Sequence, residues 1–98
     1  MYRLVAGPQA DLDVSSAFDW YESEQPGLGL EFLNELRATY DRISEGPLKY
    51  ADLRGGVRRA LVRRFPYAVY FAAESEEVVI LAVLHVGRDP AEWQRRSG

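Results

Sequence analysis

Seven consecutive apolar residues, Val78-Val79-Ile80-Leu81-Ala82-Val83-Leu84, set the strongest constraint on how this chain can fold. Successive side chains of an extended strand leave on opposite faces, so a run with no polar member on either parity is buried on both. The run before it repeats the pattern, with Tyr67, Val69 and Phe71 on one parity and Ala68, Tyr70 and Ala72 on the other. Only the acidic stretch Glu74-Ser75-Glu76 separates them, which is short enough to require an antiparallel hairpin. A third β-compatible run, residues 57–64, joins the hairpin through Phe65-Pro66, and residues 2–6 read as a short first strand. Strands are expected at 57–64, 67–73 and 77–85, with residues 48–56 irregular and a short extended piece near Tyr50.

Cover for this sheet must come from helices. Pro8 suits a first helical turn, and Ala10, Val14, Ala17, Phe18 and Tyr21 then recur on one helical face, leaving Asp11, Asp13, Asp19 and Glu22 to solvent. Gln25-Pro26-Gly27 breaks this helix. A second carries Phe32, Leu33, Leu36, Tyr40 and Ile43 as its stripe and stops at Gly46-Pro47. The short turn between them predicts an antiparallel helical hairpin. Trp20-Tyr21 is read as packing in preference to ligand stacking. In the tail, Asp89 is placed to cap, Pro90 to open a helix and Glu92 to complete a capping box. So short a helix must dock through Trp93 to persist.

Two helices cover one face of such a sheet. The second face is left to the short tail and arginine stems, or to a partner, because exposed apolar patches mark interaction surfaces. Ala68, Tyr70 and Ala72 with Val79, Leu81 and Val83 are taken as that face; strand parity alone does not say which side the helices take, and if they take this one, the Val69 face is the open one.

Ninety-eight residues suit one domain, here 1–98. There is no cysteine, which excludes disulfides and thiolate metal sites. No apolar run approaches the roughly 20 residues of a membrane span, and residues 1–8 lack a signal-peptide core. The expectation is a cytoplasmic protein without a membrane partner. The net charge of −3 divides unevenly. Residues 1–53 carry ten acids and four bases, whereas residues 54–98 carry eight arginines and five acids. Arg54, Arg58, Arg59, Arg63 and Arg64 fall within eleven residues. Their planar guanidinium forks suit carboxylates or phosphates, although arginines on an exposed strand also simply keep an edge soluble. The acidic balance argues against strong nonspecific nucleic-acid binding.

No phosphate loop, dinucleotide fingerprint, zinc pattern or nucleophile elbow occurs, so no cofactor or metal is expected. The single histidine, His85, ends a strand and precedes Gly87 and Arg88. That pair has the chemistry of an acid or base beside a phosphorane-stabilising cation. A structural hydrogen-bonding role is the commoner fate of a lone strand-end histidine.

From Leu4 to Arg96 the chain resembles the RelE/ParE family of toxins from type II toxin–antitoxin pairs. The resemblance rests on the order and spacing of Ala10 to Leu12, Trp20-Tyr21, Pro26-Gly27-Leu28-Gly29, Phe32-Leu33, Ile43 before Pro47, Val57-Arg58-Arg59, Phe65-Pro66-Tyr67, Val69-Tyr70, His85, Arg88-Asp89-Pro90 and Trp93. It implies an α+β fold of order β-α-α-β-β-β, with an antiparallel sheet, a helical hairpin on one face and a short C-terminal helix. It also implies a cognate antitoxin protein whose binding neutralises the toxin in a hetero-oligomeric complex. Arg58, Arg59, Arg63, Arg64, Tyr70, Leu81, Arg88 and Trp93 are the partner-binding candidates. RelE-like members cleave mRNA on the ribosome and are usually strongly basic, whereas ParE-like members poison DNA gyrase. Ala68 stands where the ribonuclease branch carries a mid-sheet arginine, and Asp89-Pro90 where its tail tends to be basic. The resemblance therefore points to the ParE-like branch and gyrase, with no catalytic residues. The alternatives are an mRNA endonuclease using His85 and Arg88, or a degenerate, non-toxic binding module.

Overall fold

A computed structural model describes residues 1–97; Gly98, the last residue of the expected domain, lies outside the described residues. The elements run β1 (Arg3–Ala6), α1 (Pro8–Glu24), α2 (Leu28–Glu45), a 3-10 turn (Pro47–Lys49), β2 (Asp52–Arg54), β3 (Val57–Leu61), β4 (Tyr67–Glu74), β5 (Glu77–His85) and α3 (Ala91–Ser97). The expected α+β architecture is present, with two additions. A three-residue strand, β2, extends the sheet at one edge, and β1 lies parallel to β5 rather than antiparallel. The reason is the connection: β1 leaves through Gly7-Pro8 into the helical hairpin, and the chain rejoins that side of the sheet only with its last strand. The sheet order is β1-β5-β4-β3-β2.

The hairpin β4–β5 follows from its sequence, and so does its double burial. Val69, Phe71, Val78, Ile80 and Val83 join Ala10, Ala17, Tyr21, Phe32, Leu36 and Ile43 in a core between sheet and helices. Four rings form its centre: Phe32 lies 5.4 Å from Tyr21, 5.4 Å from Phe65 and 5.2 Å from Tyr67. Offset and edge-on geometries of this kind add to burial by complementing the ring quadrupoles. On the opposite face Val57, Ala68, Tyr70, Ala82, Leu84 and Trp93 form a second, smaller cluster.

A β-bulge decides which residues belong to which cluster. Tyr70 pairs with Ala82 but Phe71 with Ile80, so Leu81 is the extra residue. Leu81 and Ala82 consequently both join the smaller cluster, while Val83 turns toward the helices. Strict alternation had set Val83 beside Leu81, and the bulge corrects that.

Turn chemistry trims the elements. Strand β3 stops at Leu61, short of the expected Arg64, because Arg64 takes a φ of 72° that strand geometry does not allow. Gly27, at φ 90°, turns α1 into α2. The start of α2 is held by Glu22, whose carboxylate accepts the amides of Gly27 at 2.9 Å and Gly29 at 2.8 Å. An acid at a helix N-terminus satisfies orphan N–H groups and complements the dipole. Glu22, expected to face solvent, is thus a structural residue of the interhelical turn.

Candidate functional site

His85 and Arg88 follow directly from the end of β5. The His85 ring is exposed, and its Nδ1 accepts the Gly87 amide at 3.0 Å, which leaves Nε2 to carry the proton of the neutral ring. The Arg88 amide closes a turn on the His85 carbonyl at 2.9 Å, while its guanidinium lies 3.6 Å from the Glu92 carboxylate. No hydrogen bond joins the two side chains among the described residues. Both line a groove of about 640 Å³ with Asp13, Ser16, Trp20, Tyr21 and Tyr67. Tyr67 sits edge-on to His85 at 5.6 Å between ring centres. Its phenol is pushed up mainly by burial, with the Arg88 charge pulling the other way. The groove gathers aromatic surface, but among the described residues no carboxylate bonds to His85 to orient it as a base, and Arg88 is already engaged by an acid.

The arginine cluster divides in two. Arg58 pairs with Phe71 of β4 and so shares the helix-facing side of the sheet with it, and its guanidinium donates to the Tyr50 carbonyl. Arg64 pairs with Glu31 at 2.7 Å and Glu35 at 3.4 Å on α2, and the hydrogen bond to Glu31 is the chief reason its guanidinium is held even more firmly protonated. Arg59 and Arg63 are exposed and make no ion pair or hydrogen bond among the described residues. Arg59 stands opposite Tyr70, on the side away from the helical hairpin, and Leu61, two residues on, is 58% exposed. Strand β2 pairs only with Val57 and Arg58, so beyond Arg58 the outer side of β3, away from β4, has no neighbouring strand. Arg59 and Leu61 therefore share one face of β3 at its open outer edge, exposed Arg63 follows just past the strand, and Arg58 and Arg64 are held in contacts within the chain.

Tyr70 and Trp93 are not open. The Trp93 ring stacks on Tyr70 at 5.2 Å and 14°, leaving them 7% and 6% exposed. The second face of the sheet is covered by the chain's own tail, one of the two outcomes its apolar parity allowed. Leu81 is half-buried beside them.

Asp13 and Arg96, two residues that sequence reasoning did not single out, hold that tail. Arg96 grips the Asp13 carboxylate with two bonds, of 2.6 and 3.2 Å, and both side chains are 14% exposed. The same carboxylate accepts the Val83 amide at 2.9 Å, and Arg96 reaches the Leu81 carbonyl at 3.3 Å. Strand β1 ends opposite Ile80, so β5 has no strand neighbour on that side from Leu81 onward. The ion pair meets backbone groups that a strand would otherwise take. Asp13 was expected in solvent, and no periodicity links it to a residue 83 positions away.

The whole is a small sheet closed by a helical hairpin on one face and a tail helix on the other, with an arginine-bearing strand edge left open. The model of the ParE toxin of type II toxin–antitoxin systems (parDE) matches residues 5–90. The chain belongs to that toxin family. It is also similar in fold to a solved structure described as a chromosomal ParDE TA system from P. aeruginosa, with a TM-score of 0.77 over 87% of this chain and 96% of that one, at 20% identity. No curated protein matches the chain. Among the described residues no helix is long and apolar enough to cross a membrane.

Proposed function

We propose that this toxin-family chain acts in the cytoplasm on DNA gyrase and is neutralised by direct binding of a cognate antitoxin. The observation that carries the choice of target is the state of His85 and Arg88. The imidazole is tied to its own turn through Nδ1, and the guanidinium to Glu92. Among the described residues no carboxylate bonds to the imidazole to orient it as a base, and the guanidinium is paired with an acid, which supports the gyrase reading over an mRNA endonuclease. The ribonuclease branch uses side chains across the sheet, and here Ala68 is fully buried in the cluster beneath Trp93.

For the antitoxin, the open edge of β3 supports a surface built on Arg59, Arg63 and Leu61. Unpaired guanidinium groups beside an exposed apolar side chain fit an acidic, partly apolar segment, with the charges steering encounter and orientation. Arg88, on the groove rim, is a further contact of the same surface type. Arg58 and Arg64 contribute only where the antitoxin displaces their internal acceptors.

Inducible expression, alone and with the antitoxin encoded beside it, tests the class. Growth should stop without the antitoxin and resume with it. Purified chain should inhibit gyrase supercoiling, and His85→Ala should leave growth arrest intact. Codon-dependent mRNA cuts that vanish in His85→Ala would overturn the target assignment. Unimpaired growth under confirmed soluble expression would overturn the toxin reading.

A further inference from the structure

Helix α3 has seven residues, too few to be stable by itself, so its position depends on docking. Three side chains dock it. Trp93 stacks on Tyr70, the Gln94 amide oxygen accepts from Arg54 at 3.0 Å, and Arg96 holds Asp13. The segment before it, residues 86–90, is exposed throughout and contains Gly87. Most telling is the division of the core. No α3 residue belongs to the apolar cluster between the sheet and the helical hairpin; its apolar contact, Trp93, lies on the other side of the sheet, and its one tie to the hairpin is the ion pair of Arg96 with Asp13 on α1. Removing α3 would leave the larger core packed.

We propose that α3 is a hinged cover that swings on residues 86–90 while the rest of the chain stays folded, and that the strip beneath it is a docking site for a partner segment of α3's own chemistry. What opening uncovers is specific. Tyr70, Ala82 and Leu84 offer an apolar strip, Asp13 a carboxylate stripped of its cation, and Leu81 a free carbonyl on a strand edge. The closed state defines what fits: an aromatic ring for Tyr70 and, three residues on, a guanidinium for Asp13, as Trp93 and Arg96 supply now. A bidentate guanidinium–carboxylate pair is both directional and strong, so it selects arginine over lysine. The cover keeps this strip out of contact with other chains until it opens, which also protects an otherwise unpaired strand edge. The inference rests on contacts within the chain, so its failure would leave the toxin reading standing.

Two measurements on the full chain test it. Hydrogen exchange should show the amides of residues 94–96 opening far more often than those of Val69, Phe71 and Ile80. Arg96→Gln, which loses charge-assisted bonds, should raise the α3 rates by about one to two orders of magnitude and leave the core rates unchanged. Arg95→Gln, on an exposed pair with Glu92, should change neither. Loss of protection in α3 and core together, in the wild type or in Arg96→Gln, would refute the hinge. For the docking site, a labelled peptide of residues 88–98 is titrated into Trp93→Ala, whose own cover is weakened. Saturable binding that disappears when Asp13→Asn is added supports the site. No binding, or binding indifferent to Asp13→Asn, would refute it, and the exchange arm stands even where Trp93→Ala folds poorly.

Discussion

Gly29 is the point at which the helical hairpin has least room, and Gly29→Ala makes that tightness measurable. A methyl group there would lie 2.8 Å from the Phe18 carbonyl oxygen, from Phe18 Cδ1 and from Glu22 Oε1. The side chains can rotate, but the carbonyl is fixed within α1. The helices must therefore separate by roughly half an ångström to restore ordinary contact. Overpacking of this kind costs about 1–3 kcal/mol, and displacing Glu22 from the two amides it caps adds up to about 1 kcal/mol. Replacing glycine in a helix returns at most about 1 kcal/mol, and less here because the position lies in the first turn. The net expectation is a loss of about 1–3 kcal/mol, which for a domain of this size lowers Tm by about 5–20 °C. Thermal unfolding followed by far-ultraviolet circular dichroism measures it. Glu22→Gln, which keeps the acceptor and loses the charge, should fall by less. An unchanged or raised Tm for Gly29→Ala would refute the claim that backbone contact sets the α1–α2 spacing.

The Tyr40 phenol is pushed up to about 12, first by burial and then by the nearby Asp11 and Asp13 charges. Because its ordinary value is 10.0, the folded state retains a proton that the unfolded chain releases, so stability should decline from pH 10 toward about 12. Tyr40→Phe should flatten that decline in urea titrations across the same range. At the proposed antitoxin edge, Arg59→Glu with Arg63→Glu should slow association and weaken its salt dependence in surface plasmon resonance, leaving Tm unmoved. Reversal of Arg64 should instead disturb its contact with α2 and alter association less. Phe32→Ala, at the centre of the ring cluster, should cost about 3–5 kcal/mol, a large part of a domain's total stability, and leave a chain that unfolds at much lower urea.

Periodicity made the two helices, the three long strands and the docking of Trp93 legible in the sequence, because each is a local pattern of burial. Three features were not local. The bulge at Leu81 arises from how β4 and β5 register with one another, and an all-apolar run carries no polar marker to betray the shift in parity. The parallel placement of β1 depends on the chain returning to its side only with β5, after both helices and three other strands. The Asp13–Arg96 pair joins an acid that looks like a solvent-facing helix residue to an arginine in the last turn of α3, where a cation complements the helix dipole. Each had a sufficient local explanation, and only the fold brings them together. The same holds for the arginines. Composition marked the cluster, but the division into bound Arg58 and Arg64 and unpaired Arg59 and Arg63 depends on the Tyr50 carbonyl and on Glu31 and Glu35.

The pairing of β1 with β5 also fixes when this protein can become folded during its synthesis. Arg3 sits opposite Glu77 and Ala6 opposite Ile80, so β1 must wait for β5, made some seventy residues later. At about 5–20 residues per second, ribosomes hold β1 and the helical hairpin without their sheet partner for several seconds. The long sequence separation also makes closure a slow step relative to the local β4–β5 hairpin. A nascent chain that stops before β5 lacks the strand that supplies Val78, Ile80 and Val83 to the main core, and α3 has nothing to rest on. A chain of this topology gains its sheet surface only once β5 has been made, and copies ended before β5 lack it.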